Sequence, residues 1–307
     1  MPRVNTPILH HYPESVFSEI LRIALGIKDM AWKSVIIPPF APKPELTPLT
    51  GGYRKTPVMQ VGADIYCDTA ICIELIESLQ SEPGLFPGPL GRAGAFGAMW
   101  ATGPMFMPAV GSGLGGKEDI FPEEFWADRK ALFGLEPGDF TAQGGHPRAQ
   151  FLASLARLED ALADGRRFFG GDRPGHADAA FYSMLWIPGV VDPTDRPPRI
   201  LTSFPNSRAW FERVMAIGHG RPETMSAQDA LAVARDATPS LTDEVDPESG
   251  FAPGDMVTVR TDDPGADRVK GRLVRLTVRE IAIRREDEQV GELCIHFPRL
   301  GQILALA

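Results

Sequence analysis

The first eighty residues alternate between two hydrophobic periods, and that alternation limits the folds open to the chain. Residues 7–12 (PILHHY) predict a short strand. Residues 15–25 then carry Val16, Ile20, Ile23 and Ala24 at helical spacing, with Gly26 as a stop. Residues 32–37 (WKSVII) predict a second strand, and the Pro-rich stretch PPFAPKPELTPL after it must be irregular. Val58–Val61 and Asp64–Cys67 predict two strands joined by a turn at Gly62, and Thr69–Leu79 predicts a second helix. The order is strand, helix, strand, loop, strand, strand, helix.

Two further regions follow. Residues 81–94 (SEPGLFPGPLGRAG) read as an interdomain linker. Beyond it the pattern is helical to about residue 237, with clear pieces at 147–163, 177–186, 207–215 and 226–237. The Gly- and Pro-rich stretch 111–145 is expected to form long loops. From Gly254 the period changes to two: DMVTVRT, VKGRLVRLTV, EIAIRR and GELCIHF alternate apolar and polar residues. Asp262-Asp263-Pro264-Gly265 and Glu286-Asp287-Glu288 are the turn signals between them. Three domains are therefore expected: an α/β domain over 1–80, an all-α domain over 90–240, and a small all-β, barrel-like module of four or five strands over 250–307. A module of about fifty residues rarely sustains a core alone. It should pack on the rest of the chain, over the helical half or at a dimer interface.

Bulk properties remove several functions. The 307 residues are 43% hydrophobic and 23% charged, with a formal charge of −9. A nucleic-acid binder would carry a basic stripe, and none is seen. No apolar run reaches the length of a membrane span, and the N-terminus lacks a signal-peptide pattern. Cys67, Cys72 and Cys294 are the three cysteines. Their spacing fits neither zinc nor a redox pair, so no metal is expected. The odd, low count suits a reducing cytoplasm.

Three short stretches carry the candidate chemistry. Ser15 opens a predicted helix, where its oxygen can cap a free N–H. The same hydroxyl, beside the positive end of the helix, favours an anion such as a thiolate. In Lys55-Thr56-Pro57-Val58 a Pro precedes a strand; it is either a plain turn device or a cis-proline that turns backbone groups toward a peptide-like ligand. Cys67-Asp68-Thr69 is either an acidic helix start or a site for a ligand amine and carboxylate at Asp68, Thr69 and the helix N-terminus.

Taken in order, these stretches resemble the thioredoxin-like half of a glutathione S-transferase of the Ser type, as found in bacteria. SVFSEILRIAL is similar to that family's Ser-or-Cys, Pro, Phe … Arg run, and Ser15 and Arg22 keep its spacing. KTPVM is similar to Lys-Val-Pro-Val-Leu, and DTAI to Glu-Ser-Ala-Ile. In the second half, PGHADAAFYSMLW is similar to a Ser-Ile-Ala-Asp capping motif that begins a central buried helix, with Asp178 at the motif's Asp. Val16, Thr56 and Gly175 depart from the pattern, and Gly is a tolerable N-cap. The resemblance covers about residues 7–237 and says nothing of the module after Gly254.

The resemblance implies a thioredoxin-like domain followed by an all-α domain, and glutathione as co-substrate without a metal. It makes Ser15 the partner of the thiol, with Tyr12 as the alternative. Lys43, Thr56, Pro57, Asp68 and Thr69 would bind glutathione. The second substrate would be a small hydrophobic electrophile, and a homodimer is expected. Two other functions stay open. One is a non-catalytic binding or regulatory protein of this fold that holds a partner with its β-module. The other is a glutathione-dependent isomerase or dehalogenase.

Overall fold

The computed structural model describes residues 6–240, 243–263 and 268–307. Its centre is a four-stranded sheet of β1 (Ile8–His11), β2 (Ala31–Ile36), β3 (Val58–Val61) and β4 (Asp64–Cys67). β1 runs parallel to β2 and antiparallel to β3, and β3 pairs antiparallel with β4. Helix α1 (Val16–Ile27) links β1 to β2, the short α2 (Thr47–Thr50) precedes β3, and α3 (Thr69–Leu79) follows β4. The order of elements is the one expected from the periods, and the arrangement is the thioredoxin-like one that the resemblance implied.

Helix α1 runs one residue past Gly26. That glycine is there for close approach: a Cβ on it would lie 2.1 Å from the Gly218 carbonyl oxygen. Adjacent strand residues divide two cores, as the two-residue period requires. Leu9 and Met59 join α1, α3 and the helical half in one cluster. Ile8, Val35, Val58 and Ile65 join a second cluster on the opposite face.

The helical half contains α4 (Gly94–Thr102), α5 (Phe106–Leu114), α6 (Glu123–Phe133), α7 (Asp139–Ala142), α8 (His146–Leu162), α9 (His176–Leu185), α10 (Pro188–Val191) and α11 (Pro205–Met215). The stretch 111–145 is thus more helical than its glycines suggest. Gly111 lies inside α5, where a Cβ would meet Pro147 at 2.7 Å; it is a packing glycine rather than a loop signal. α9 is the buried central helix. Asp178 accepts the Gly175 N–H at 2.9 Å, the Phe169 N–H at 3.0 Å and the Trp210 indole N–H at 2.8 Å.

After α11 the chain returns to the sheet. β5 (Arg221–Thr224) pairs parallel with β2, and α12 (Ala227–Arg235) places Ala230 and Ala234 in the second core. Gln60, fully buried, donates to the Ala230 carbonyl at 2.9 Å and meets His10 Nε2 at 2.9 Å. The chain then reaches the other edge of the sheet.

There β6 (Glu244–Val245), β7 (Met256–Thr261), β8 (Val269–Leu276), β9 (Glu280–Asp287), β10 (Gly291–Pro298) and β11 (Gln302–Leu306) form the C-terminal module. The strand path is β11-β7-β8-β9-β10-β4-β3-β1-β2-β5, with β6 beside β8. At one end of the module's part of this path β11 pairs antiparallel with β7, and at the other β10 pairs parallel with β4, with Cys294 opposite Asp64. The module therefore docks on the edge of the first sheet, and its core merges with the face covered by α12. The Asp262–Gly265 turn lies partly outside the described residues. Among the described residues no helix is long and apolar enough to cross a membrane.

Candidate functional site

The loop between β1 and α1 is held from below by one side chain. Arg22, 4% exposed, donates to the carbonyls of Tyr12 (3.2 Å), Pro13 (2.9 Å) and Ser15 (3.4 Å), and pairs with Glu19 at 2.7 Å. It also donates to His11 Nδ1 at 2.9 Å. Burial and the Arg22 charge push His11 down to about 3, so the ring is neutral. Glu19 reaches His219 Nε2 at 3.1 Å, in the segment that returns from α11. Burial alone would raise the Glu19 carboxyl, but His219 and Arg22 hold it below its ordinary value.

Ser15 caps α1. Its Oγ accepts the Ser18 N–H at 3.1 Å and the Ser18 hydroxyl at 2.8 Å. A hydroxyl has two acceptor positions and one donor. Both acceptor positions are taken, so the Ser15 proton is the group left to address a ligand. Ser18 was not singled out in the sequence, although its place three residues after the cap was a usable signal.

The Pro-rich segment forms the second wall. The Thr56–Pro57 bond is cis. Lys43 is buried and donates to the Arg54 carbonyl at 2.9 Å and the Thr56 hydroxyl at 2.8 Å, with its ammonium 5.9 Å from the centre of the Tyr12 ring. Asp128 of α6 ties this wall to the helical half, through Arg54 at 3.1 Å and the Ala41 N–H at 3.1 Å.

Asp68 caps α3, accepting the Ala70 N–H at 2.8 Å. Its φ of +98° is a sparsely populated conformation for a residue with a Cβ. It is partly buried in the cleft wall, and loss of solvent there raises its carboxyl, while the Ala70 N–H and Lys55 act in the opposite direction.

Tyr12, Ser15, Lys43, Thr56, Pro57, Asp68 and Thr69 all line one cleft of about 810 Å³. Its other wall is apolar and comes largely from the helices, including Met107, Val110, Phe125 and Leu132. Phe17 of α1 and Phe106 of α5 meet edge-on across the two halves, 5.0 Å between centroids. Lys55, Asp128 and Asp263 also line the cleft; the sequence placed Lys55 in the proline motif and Asp263 in a turn without a binding role, and did not single out Asp128. Elsewhere, Asp64, Cys294 and His296 offer possible metal-ligand atoms within 4.8 Å of one another. Asp64 and His296 are already hydrogen-bonded, to each other and to Ser240 and Glu280.

Comparison with known proteins gives the family. The family model described as glutathione S-transferase, N-terminal domain, matches residues 9–84, and that described as glutathione S-transferase, C-terminal domain, matches 146–213. A solved structure of a GST-like protein from Pseudomonas syringae is 37% identical, covers 97% of this chain and 99% of its own, and superposes with a TM-score of 0.78. The chain belongs to the glutathione S-transferase family. Two other members share its fold at lower identity. A tau-class glutathione S-transferase from mango, Mangifera indica, is 22% identical over 69% of this chain and 90% of its own, with a TM-score of 0.51. A glutathione S-transferase from Rhodospirillum rubrum is 17% identical over 69% and 88%, also at 0.51. No curated protein matches. At 97% coverage the P. syringae match must include most of the C-terminal module. The module is thus shared with another glutathione S-transferase-like chain, and is not unique to this one.

Proposed function

We propose that this protein is a cytoplasmic, homodimeric glutathione transferase in which Ser15 stabilises the thiolate of bound glutathione for attack on a small hydrophobic electrophile. The observation that carries this is the state of Ser15, with both acceptor positions filled by Ser18. It lines a cleft that holds a helix-capping acid and hydroxyl, Asp68 and Thr69, and an apolar wall. Thr69 and the N-terminus of α3 suit a carboxylate.

A thiol of pKa near 8.5 is only a few per cent ionised at pH 7. One charge-assisted hydrogen bond contributes about 1.5–3 kcal/mol, which lowers the pKa by roughly one to two units. At pH 7 roughly a quarter to three quarters of the bound thiol is then thiolate, its proton released to solvent. The sulfur forms a bond to the electrophilic carbon as the leaving group departs with its electron pair. Ser15 activates the sulfur and forms no covalent bond itself.

The test is calorimetric titration with glutathione, followed by turnover of an aryl halide and a panel of other electrophiles. Binding with conjugation supports the proposal. Binding with isomerised product, or with reductive loss of halide and no stable conjugate, would favour the isomerase or dehalogenase reading. Binding without any turnover would favour a non-catalytic protein.

A further inference from the structure

The C-terminal module reaches into the cleft. Just past β7, Asp263 lines the same cavity as Asp68 and Thr69. Its position is set by a short chain of contacts. Lys55 donates to the Thr261 hydroxyl at 3.1 Å, that hydroxyl donates to Asp263 Oδ1 at 2.8 Å, and Lys55 pairs with Asp263 Oδ2. The Asp263 side chain still keeps 36% of its surface exposed.

Among the described residues, this end of the cleft therefore holds two carboxylates and one ammonium. Asp263 and Lys55 are both near enough for their charges to act on the Asp68 carboxyl. The other cations lining the cleft have nearby partners. Lys43 bonds to Arg54 and Thr56, and Arg54 and Arg129 pair with Asp128. A corner with one negative charge in excess suits a cationic group. The γ-glutamyl end of glutathione carries such a group, an ammonium, beside a free carboxylate. The carboxylate suits Thr69 and the N-terminus of α3. The three N–H donors of an ammonium diverge tetrahedrally, so one carboxylate cannot face all of them, and a second acceptor completes the set.

We propose that Asp263 is a substrate-binding residue, sharing the γ-glutamyl ammonium of glutathione with Asp68, so that the C-terminal module completes the thiol site within one chain. This rests on the reading of the cleft as a glutathione site.

The experiment is calorimetric affinity of the full-length wild type and Asp263→Asn for two ligands. One is glutathione; the other is glutaryl-cysteinyl-glycine, which lacks only the amine. Asp263→Asn should weaken glutathione about five- to tenfold, a partly exposed charge pair being worth less than a buried one. It should leave the amine-free ligand unchanged, and that unchanged affinity also shows the variant to be folded. Equal weakening of both ligands would make Asp263 a mere fastener of the Lys55 loop and overturn the proposal. So would unchanged affinity for glutathione. A wild type that binds neither ligand would overturn the glutathione reading itself, a result distinct from the other two.

Discussion

His296 Nε2 lies 3.2 Å from Asp64 Oδ1, across the parallel pair that joins the module to the first sheet. On the other side of the ring, Nδ1 lies 2.6 Å from Glu280. Burial works against a charged imidazole here, but the bonds to Asp64, Cys294 and Glu280 outweigh it and hold His296 well above its ordinary range. Burial likewise works against ionised Asp64 and Glu280, and the bonds to His296 hold both below theirs. The raised imidazole contributes fully below about pH 6.5, its unfolded value, and its contribution is lost as pH climbs through the raised value. The depressed carboxylates contribute fully above about pH 4 and lose that contribution as pH falls through their lowered values. The cost of His296→Gln should therefore be largest between about pH 4.5 and 6.5. Above that it should shrink by up to about 1.4 kcal/mol per pH unit. Urea unfolding of both proteins at pH 6 and pH 9 checks this; a cost independent of pH would show a neutral ring.

Ser15→Ala should raise the pKa of bound glutathione and slow conjugation by at most about thirtyfold, because the ionised fraction cannot exceed one. Thiolate absorbance against pH is the measurement. Ser18→Ala removes one donor to the Ser15 oxygen and should shift that pKa less. If Tyr12→Phe moves it and Ser15→Ala does not, Tyr12 is the thiol's partner.

Asp68→Ala should weaken glutathione binding about tenfold or more, by loss of the carboxylate facing the ligand amine. Calorimetry reads this directly. Unchanged affinity would remove Asp68 from the site.

Asp178→Ala should destabilise the fold by about 2–4 kcal/mol, since three donors, two of them in buried bonds, lose their acceptor. Burial pushes the Asp178 carboxyl up to about 6, so it stays ionised at neutral pH. Thermal and urea unfolding give the cost, and glutathione affinity below the transition should be little changed.

Truncation after Ser249 should expose the β4 edge and half of the second core, where Val257, Leu273, Ile283, Ile295 and Phe297 pack. A shortened protein should aggregate or bind a dye for exposed apolar surface. A soluble fragment with intact kinetics would show the module to be an appendage.

The elements around the cleft were legible because each residue acts through its neighbours. Ser15 caps the helix it opens, Asp68 does the same, and alternating periods mark the strands. β5 was not legible. Its residues RPET are all exposed, so no apolar alternation marks them; only main-chain pairing with β2 makes them a strand. Nor was α6, although Pro122 before it and Gly134 after it bracket a helix with Glu123 and Glu124 in its first turn. The glycines around it pointed to loops, and some of them serve close packing instead. Asp263 was read only as a turn residue, since nothing local ties it to Asp68. Its place at the cleft depends on the module's register against β4, a contact between distant parts of the chain.

Both edges of the four-stranded sheet β1–β4 are covered by segments made late. β4 is complete at Cys67, yet its partner β10 begins only at Gly291, and the other edge waits for Arg221. At about 5–20 residues per second of synthesis, the β4 edge stays open for roughly 10–50 s. For that interval the nascent chain offers an unpaired strand to any neighbour. The half that emerges first is finished last.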